Sequence, residues 1–160
     1  MAVGEERTSA AVRRGYGRMI RFYADGIEIK SRAGGLDVFE LTAHPGSEPP
    51  MHVHEREDEM FYVLDGEVTF YAGDDVIEGE PGMFIRLARG VAHTYSIRST
   101  RARLLVTASP SGFLDMFDAV HEAFDGEMPP DPAPEHGPIL GAVLAEYGVE
   151  IVGPNPGAQV

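Results

Sequence analysis

Apolar and polar residues alternate in short runs from residue 18 to residue 108, and Gly, Asp and Pro interrupt the runs at close intervals. The strand-like segments are 18–23, 26–32, 36–43, 49–54, 59–65, 67–72, 83–87, 91–97 and 102–108. A period of two puts alternate side chains on one face. Many short strands with frequent turns predict an all-β sandwich or barrel. Asp65-Gly66 reads as a tight hairpin turn, and Gly73, Asp74 and Asp75 as another. The period changes after residue 112. Phe113, Phe117, Val120 and Phe124 fall on one helical face. Ser111 is placed to cap that helix and Gly126 to end it. Residues 125–138 hold five prolines and predict an extended connector. A second short helix is expected from Ile139 to Tyr147, with Gly148 just past its end. The expected organisation is a loosely held segment over 1–15, a barrel over 16–110, and helices with a proline-rich tail over 111–160, packed on the barrel.

Composition narrows this picture. A chain of 160 residues is one domain of ordinary size, able to bury about 70% of its unfolded surface. There are no cysteines, which removes disulfides, thiol nucleophiles and thiolate metal ligands. A cytoplasmic location is expected, since a reducing compartment suits such a chain. The formal net charge of −13 argues against nucleic acid and anionic membranes as partners. The first residues lack the basic start and apolar run of a secretory signal. No apolar stretch approaches the roughly 20 residues of a membrane helix. No internal repeat is visible, so one barrel is expected.

The candidate chemistry lies in His52, His54, Glu59 and His93. On a strand His52 and His54 share a face, roughly 7 Å apart at the backbone, and their imidazoles can tilt onto one ion. Glu59 is five residues past His54, an odd offset that one unbroken strand would send to the opposite face. The chain must therefore turn or bulge, and Glu55, Arg56, Glu57 and Asp58 have the composition for it. One of the neighbouring carboxylates is an alternative ligand. Glu59 is favoured because it begins the apolar strand after it, a rigid element. A further strand after the Gly90 turn brings back His93. Three imidazoles and a carboxylate suit a divalent transition metal: Fe, Ni, Mn, Co, Cu or Zn. Four ligands leave positions open for catalysis on a five- or six-coordinate ion. His44, His121 and His136 lie outside this pattern and read as exposed polar positions.

These residues resemble the two motifs of the cupin superfamily. Gly46, His52, His54, Glu59 and Gly66 fit every position of G-x5-HxH-x3,4-E-x6-G. Gly82, Gly90 and His93 fit the second motif, G-x5-PxG-x2-H-x3-N, while Ala88 stands where proline is usual and Ile97 where asparagine is usual. The resemblance spans about residues 36–108. It implies a jelly-roll β-barrel with one or two short C-terminal helices, the four residues as metal ligands, and a homodimer. Residues 16–34 would supply edges able to pair with another sheet. The segment around Phe113 to Phe117 and the phrase Tyr147-Gly148 are similar to single-domain bacterial cupins of the quercetinase-like, flavonol dioxygenase group.

Three functions remain open on this reading. The first is a metal-dependent dioxygenase acting on an aromatic enol or flavonol, with Glu59 as both ligand and general base. The second is a cyclase or isomerase using the metal as a Lewis acid without dioxygen. The third is a non-enzymatic metal or small-molecule binding module. Phe61 and Val63 should point inward beside Glu59, and with Met51, Phe70, Phe84 and Tyr95 could line an apolar pocket for a small aromatic molecule.

Overall fold

A computed structural model describes residues 11–158. Among them the strands are β1 (Met19–Phe22), β2 (Asp25–Ser31), β3 (Asp37–Ala43), β4 (Met51–His54), β5 (Asp58–Asp65), β6 (Val68–Ala72), β7 (Asp75–Gly79), β8 (Phe84–Leu87), β9 (His93–Ile97), β10 (Ala102–Ser109) and β11 (Val149–Gly153). Helices α1 (Phe113–Ala123) and α2 (His136–Glu146) lie between β10 and β11. One sheet has the order β1-β2-β3-β10-β5-β8 and the other β11-β4-β9-β6-β7. All their pairings are antiparallel. The two sheets face each other as an all-β jelly roll, and the alternation of β10 shows why: Ala102, Leu104, Val106 and Ala108 are buried and the residues between them are not. Phe39, Phe61, Phe70, Leu87, Leu104 and Val106 fill the space between the sheets.

Two strands escape the sequence reading. In β7 and β11 most residues are exposed, so neither shows the alternation that marks a half-buried strand. Each is the edge of the five-stranded sheet and is held by backbone pairing, β7 to β6 and β11 to β4. The tail past residue 148 therefore supplies a strand to the sheet that carries the histidines. Of the segment over 1–15, residues 1–10 lie outside the described residues, and 11–15 are exposed.

The turn between β1 and β2 falls earlier than expected. Tyr23 and Ala24 form it, with Tyr23 at φ 52°, and Phe22 pairs with Asp25. Asp25 therefore opens β2, on its buried face, instead of sitting in the turn.

Helix α1 forms where the aromatic period places it, but its cap differs. The first turn follows Gly112, and no side chain of the helix segment itself caps it; Ser111 does not. The carboxylate Oδ2 of Asp37, on β3, accepts from the backbone N–H groups of Gly112 and Leu114, both at 2.9 Å. A carboxylate at a helix start satisfies orphan donors and meets the positive end of the helix dipole. The helix packs Phe113, Leu114, Met116 and Val120 inward. Arg18 and Arg32, flanking the first two strands, hold Asp118 at 2.7 and 2.8 Å from the outside. Helix α2 begins at His136, inside the expected connector, because Pro138 falls in its first turn, where proline lacks no needed donor. Gly148 follows its C-cap with φ 73°, as the sequence predicts. His136 is half-buried, with its Nδ1 3.2 Å from the Tyr23 hydroxyl, so it is not a free surface histidine.

Replacing Asp37 by Ala leaves two helix N–H groups without their acceptor. Urea unfolding should show a loss of about 2 kcal/mol; an unchanged midpoint would show that the cap contributes nothing.

Candidate metal centre

Three of the candidate ligands come from one sheet and the fourth from the other. His52 and His54 lie on the inward face of β4, and His52 pairs directly with His93 on β9. The chain then turns over Glu55, Arg56 and Glu57 and crosses to β5 in the opposite sheet. That crossing resolves the odd offset: Glu59 is the second residue of β5 and points back across the interior. The Gly90 turn is closed without the usual proline, since Val91 N–H donates to Ala88 O at 3.2 Å and Gly90 N–H to His54 O at 2.8 Å.

The four side chains converge. One donor atom from each of His52, His54, Glu59 and His93 lies within 4.8 Å of the other three. The Glu59 Oε2 atom is 3.3 Å from His93 Nε2 and 3.5 Å from His54 Nε2. Those separations match the roughly 3 Å between neighbouring donors around an ion with bonds of about 2.1 Å. The rings are oriented from behind. His52 Nδ1–H donates to Pro50 O at 2.8 Å and His93 Nδ1–H to Val91 O at 3.0 Å. A carbonyl only accepts, so each ring presents the lone pair of Nε2 to the centre. His54 has a different support. Its Nδ1 faces the Glu57 carboxylate at 3.6 Å, both groups buried and without another partner. Glu57, read from sequence as part of a solvated turn, is 5% exposed.

Burial and mutual contact set the charge states. Burial, with the neighbouring His93 and His54, pushes the His52 imidazole down to about 4. Burial also pulls His54 down, but Glu57 and Glu59 outweigh it and hold this imidazole above its ordinary value. For Glu59 burial favours the neutral acid, yet His93, His54 and His52 together hold its carboxyl below the usual range. An anionic carboxylate among imidazoles whose lone pairs face it is a donor set that fits a divalent transition metal.

The centre opens on a cavity of about 310 Å³ between the sheets. Phe61 and Tyr95 line it, as the alternation implies; Phe22, Tyr23, Phe39, Phe113 and Phe117 add further aromatic surface, and Leu140 and Leu144 of α2 form part of one wall. Four residues expected in the pocket lie elsewhere. Val63 and Phe70 are wholly buried core. Met51 alternates away from the two histidines of β4. Phe84 is 62% exposed, because it pairs with outward-facing Tyr62 on β5. The sequence also gives no sign of Asp25, which lines the cavity although it is 2% exposed. Asp-Gly between two strands has the composition of a turn, and only the displaced hairpin puts Asp25 inside. Burial, with the charge of Glu48, pushes its carboxyl up to about 7, against the His44 amide and the Ser47 hydroxyl.

Residues 39–108 match the cupin domain family. Quercetin 2,3-dioxygenase of Bacillus subtilis (strain 168) is 27% identical over 79 residues, which are 49% of this chain and 23% of that protein. KdgF from Halomonas sp. superposes with a TM-score of 0.61 at 16% identity, covering 66% of this chain and 96% of that one. The barrel has the cupin fold. An RmlC-like cupin from Shewanella frigidimarina shares its fold with a TM-score of 0.58 at 17% identity over 65% of this chain and 93% of that one. Pac13, a nucleoside dehydratase from Streptomyces, does so with 0.56 at 12% identity over 66% and 85%. These structures establish a common cupin fold. The matched segment spans about a quarter of the dioxygenase's length.

The folded Asp25 carboxyl holds its proton to about pH 7, whereas the unfolded chain releases it near 3.8. Stability from this group is complete below the lower value and is lost as pH rises through the upper one. The stability difference between the wild-type protein and Asp25→Asn should therefore fall with rising pH across that window, by about 1.4 kcal/mol per unit at most. Denaturant unfolding at several pH values measures it; a difference that stays level would place the carboxyl in a water-like environment.

Proposed function

We propose that this cupin is a metal-dependent dioxygenase of the quercetinase-like kind, acting on a neutral aromatic enol or flavonol. One divalent transition metal would be held by His52, His54, Glu59 and His93. The observation that carries the reading is the four-donor cluster on the wall of an apolar, aromatic-lined cavity. The cavity is at the lower end of the size range of small-molecule sites. The similarity to quercetin 2,3-dioxygenase over the motif-bearing segment supports the oxidative chemistry. Among the described residues no Lys or Arg lines the cavity, whereas Asp25, Glu48 and Glu59 do. Away from the metal centre, the charged side chains that a phosphate or carboxylate on the substrate would meet there are acidic, in surroundings where like charges are weakly screened from one another. This favours a neutral substrate over an anionic sugar.

A metal held there would supply Lewis acidity toward a substrate oxygen and, when redox-active, a route for electrons from the substrate to dioxygen. The chain's own groups do the rest. The aromatic walls orient a planar ring system and exclude water. The Glu59 carboxylate, on a rigid strand, takes the proton of the substrate's enol or hydroxyl group as general base. The Nδ1–H bonds of His52 and His93 keep their rings aimed at the centre.

A second reading, a cyclase or isomerase without dioxygen, is favoured by one specific feature: Asp25 gives the cavity, besides Glu59, a carboxyl able to exchange protons near neutral pH. Oxygen uptake by the metal-loaded protein against a panel of flavonols and enols separates the two. Uptake supports the dioxygenase. Turnover that persists under strict anaerobiosis supports the second reading, and no uptake with any member overturns the first. We also propose a homodimer. Strand β1, an edge of its sheet among the described residues, and the exposed Tyr62 and Phe84, paired on the outer face, support it. Sedimentation equilibrium should return twice the chain mass of 17.4 kDa, and the single-chain mass would refute it.

His52→Ala and His93→Ala should each lower metal occupancy at least about tenfold, because each removes one of four ligands and the water that replaces it binds less tightly. Elemental analysis after dialysis reads this, and full occupancy would remove the residue from the ligand set. Glu59→Gln keeps an oxygen donor but no base. It should lose activity by about 100-fold or more while retaining more metal than the histidine variants. Equal loss of both would exclude the general-base role.

A further inference from the structure

A cavity lined by aromatic and aliphatic side chains has a difficulty that the metal ligands do not solve. Any proton released inside it must reach water. Asp25 and His44 have the geometry for that. Asp25 lines the cavity and is 2% exposed. Its Oδ1 accepts from the His44 backbone N–H at 2.9 Å, and the His44 ring stands behind it with Nδ1 at 3.5 Å. That nitrogen is buried and has no other partner, yet the His44 side chain as a whole is 39% exposed. One nitrogen of the ring thus faces a carboxyl in the cavity wall while part of the same side chain reaches solvent.

We propose that Asp25 and His44 form a proton-transfer pair that connects the interior of the cavity to bulk water. The pair serves whichever proton-moving reaction the cavity hosts, so it rests on the cavity being a substrate site but not on the use of dioxygen. A proton released into the cavity, from the substrate or from Glu59 after it has acted as base, adds to the Asp25 carboxylate, passes to His44 Nδ1, and departs from Nε2 to water; donation runs the same steps backwards. Only O–H and N–H bonds form and break, and no electrons are exchanged. The imidazole suits the relay because it binds a proton on one nitrogen and releases it from the other.

The Ser47 hydroxyl lies beside the Asp25 carboxyl, and Glu48 adds negative charge. Glu48 is itself held by the backbone N–H groups of Gly46, at 2.6 Å, and Ile97, at 3.0 Å. Tyr95, on β9, lines the same cavity, and its phenol is held neutral by burial and by the surrounding carboxylates. No Lys or Arg of the described residues lies within salt-bridge distance of Asp25. The carboxyl is thus free to gain and lose a proton instead of being locked as an anion. Its folded value of about 7 places that exchange at neutral pH.

Infrared spectroscopy of the purified protein tests the pair without substrate, metal or turnover. A carboxylic-acid band should titrate near neutral pH and vanish in Asp25→Asn. After a light-triggered pH jump, the band should change about tenfold or more slowly in His44→Ala than in wild type, and free imidazole should restore the rate. His44→Gln, which keeps a polar side chain but cannot relay, should behave like His44→Ala. The wild-type titration alone is decisive should a variant fail to fold: no carboxyl changing state near neutrality overturns the proposal. An unaltered rate in His44→Gln overturns the relay. Absence of oxygen uptake leaves all these outcomes intact, so the failure of one proposal is distinguishable from the failure of the other.

Discussion

A buried carboxylate facing three buried imidazoles is the constraint around which this protein is arranged. Glu59, His54 and His93 are each nearly inaccessible to water, and His52 scarcely less so. Bringing such groups out of water is costly unless each finds a partner. Here the partners lie on the outer side, where the carbonyls of Pro50 and Val91 and the carboxylate of Glu57 meet the rings, while on the inner side the donor atoms face one another. A divalent cation would complete the balance, because it would attract the carboxylate and use the lone pairs that the outer hydrogen bonds leave facing inward. The electrostatics that make the cluster expensive in its own right therefore make it receptive to a metal.

The surrounding architecture follows from holding that cluster dry. Helix α1 brings Phe113 against the His54 ring, with centroids 5.1 Å apart, and stacks on Phe39 from the core. Its position depends on Asp37, which reaches from β3 to the helix start. Helix α2 has no buried residue of its own, yet Leu140 and Leu144 contribute to the cavity wall. It is tied to the barrel by the Tyr23 and His136 contact and by Arg56, which donates to Glu146 O at 2.9 Å. Two sheets thus supply the donor atoms, while two helices and the turn at Tyr23 supply much of the apolar enclosure. Asp25 and His44 give that enclosure a polar seam.

How much of this was legible in the chain depends on whether the signal was local. The barrel strands show because a strand with one buried face must alternate. The quartet His52, His54, Glu59 and His93 shows because side chains of those types at those offsets have few structural reasons to occur together. β7 and β11 leave no such mark, since an edge strand held mainly by backbone pairing imposes little on its side chains. The misplacement of Phe84 has the same origin. Periodicity says which residues share a face of β8, but the pairing of Phe84 with Tyr62 decides that this face is the outer one.

By itself the amino-acid sequence determined the strand-rich fold, the aromatic helix after the barrel, and the four residues able to gather at one point, because each follows from spacing along a strand or helix. Tertiary structure alone decided that Glu59 reaches the histidines from the opposite sheet, that Asp37 caps a helix more than seventy residues away, that Glu57 is buried behind His54, and that Asp25 faces the cavity instead of water. In each of these the governing contact joins groups far apart in the chain or hinges on where a turn falls. Local composition carries no record of either.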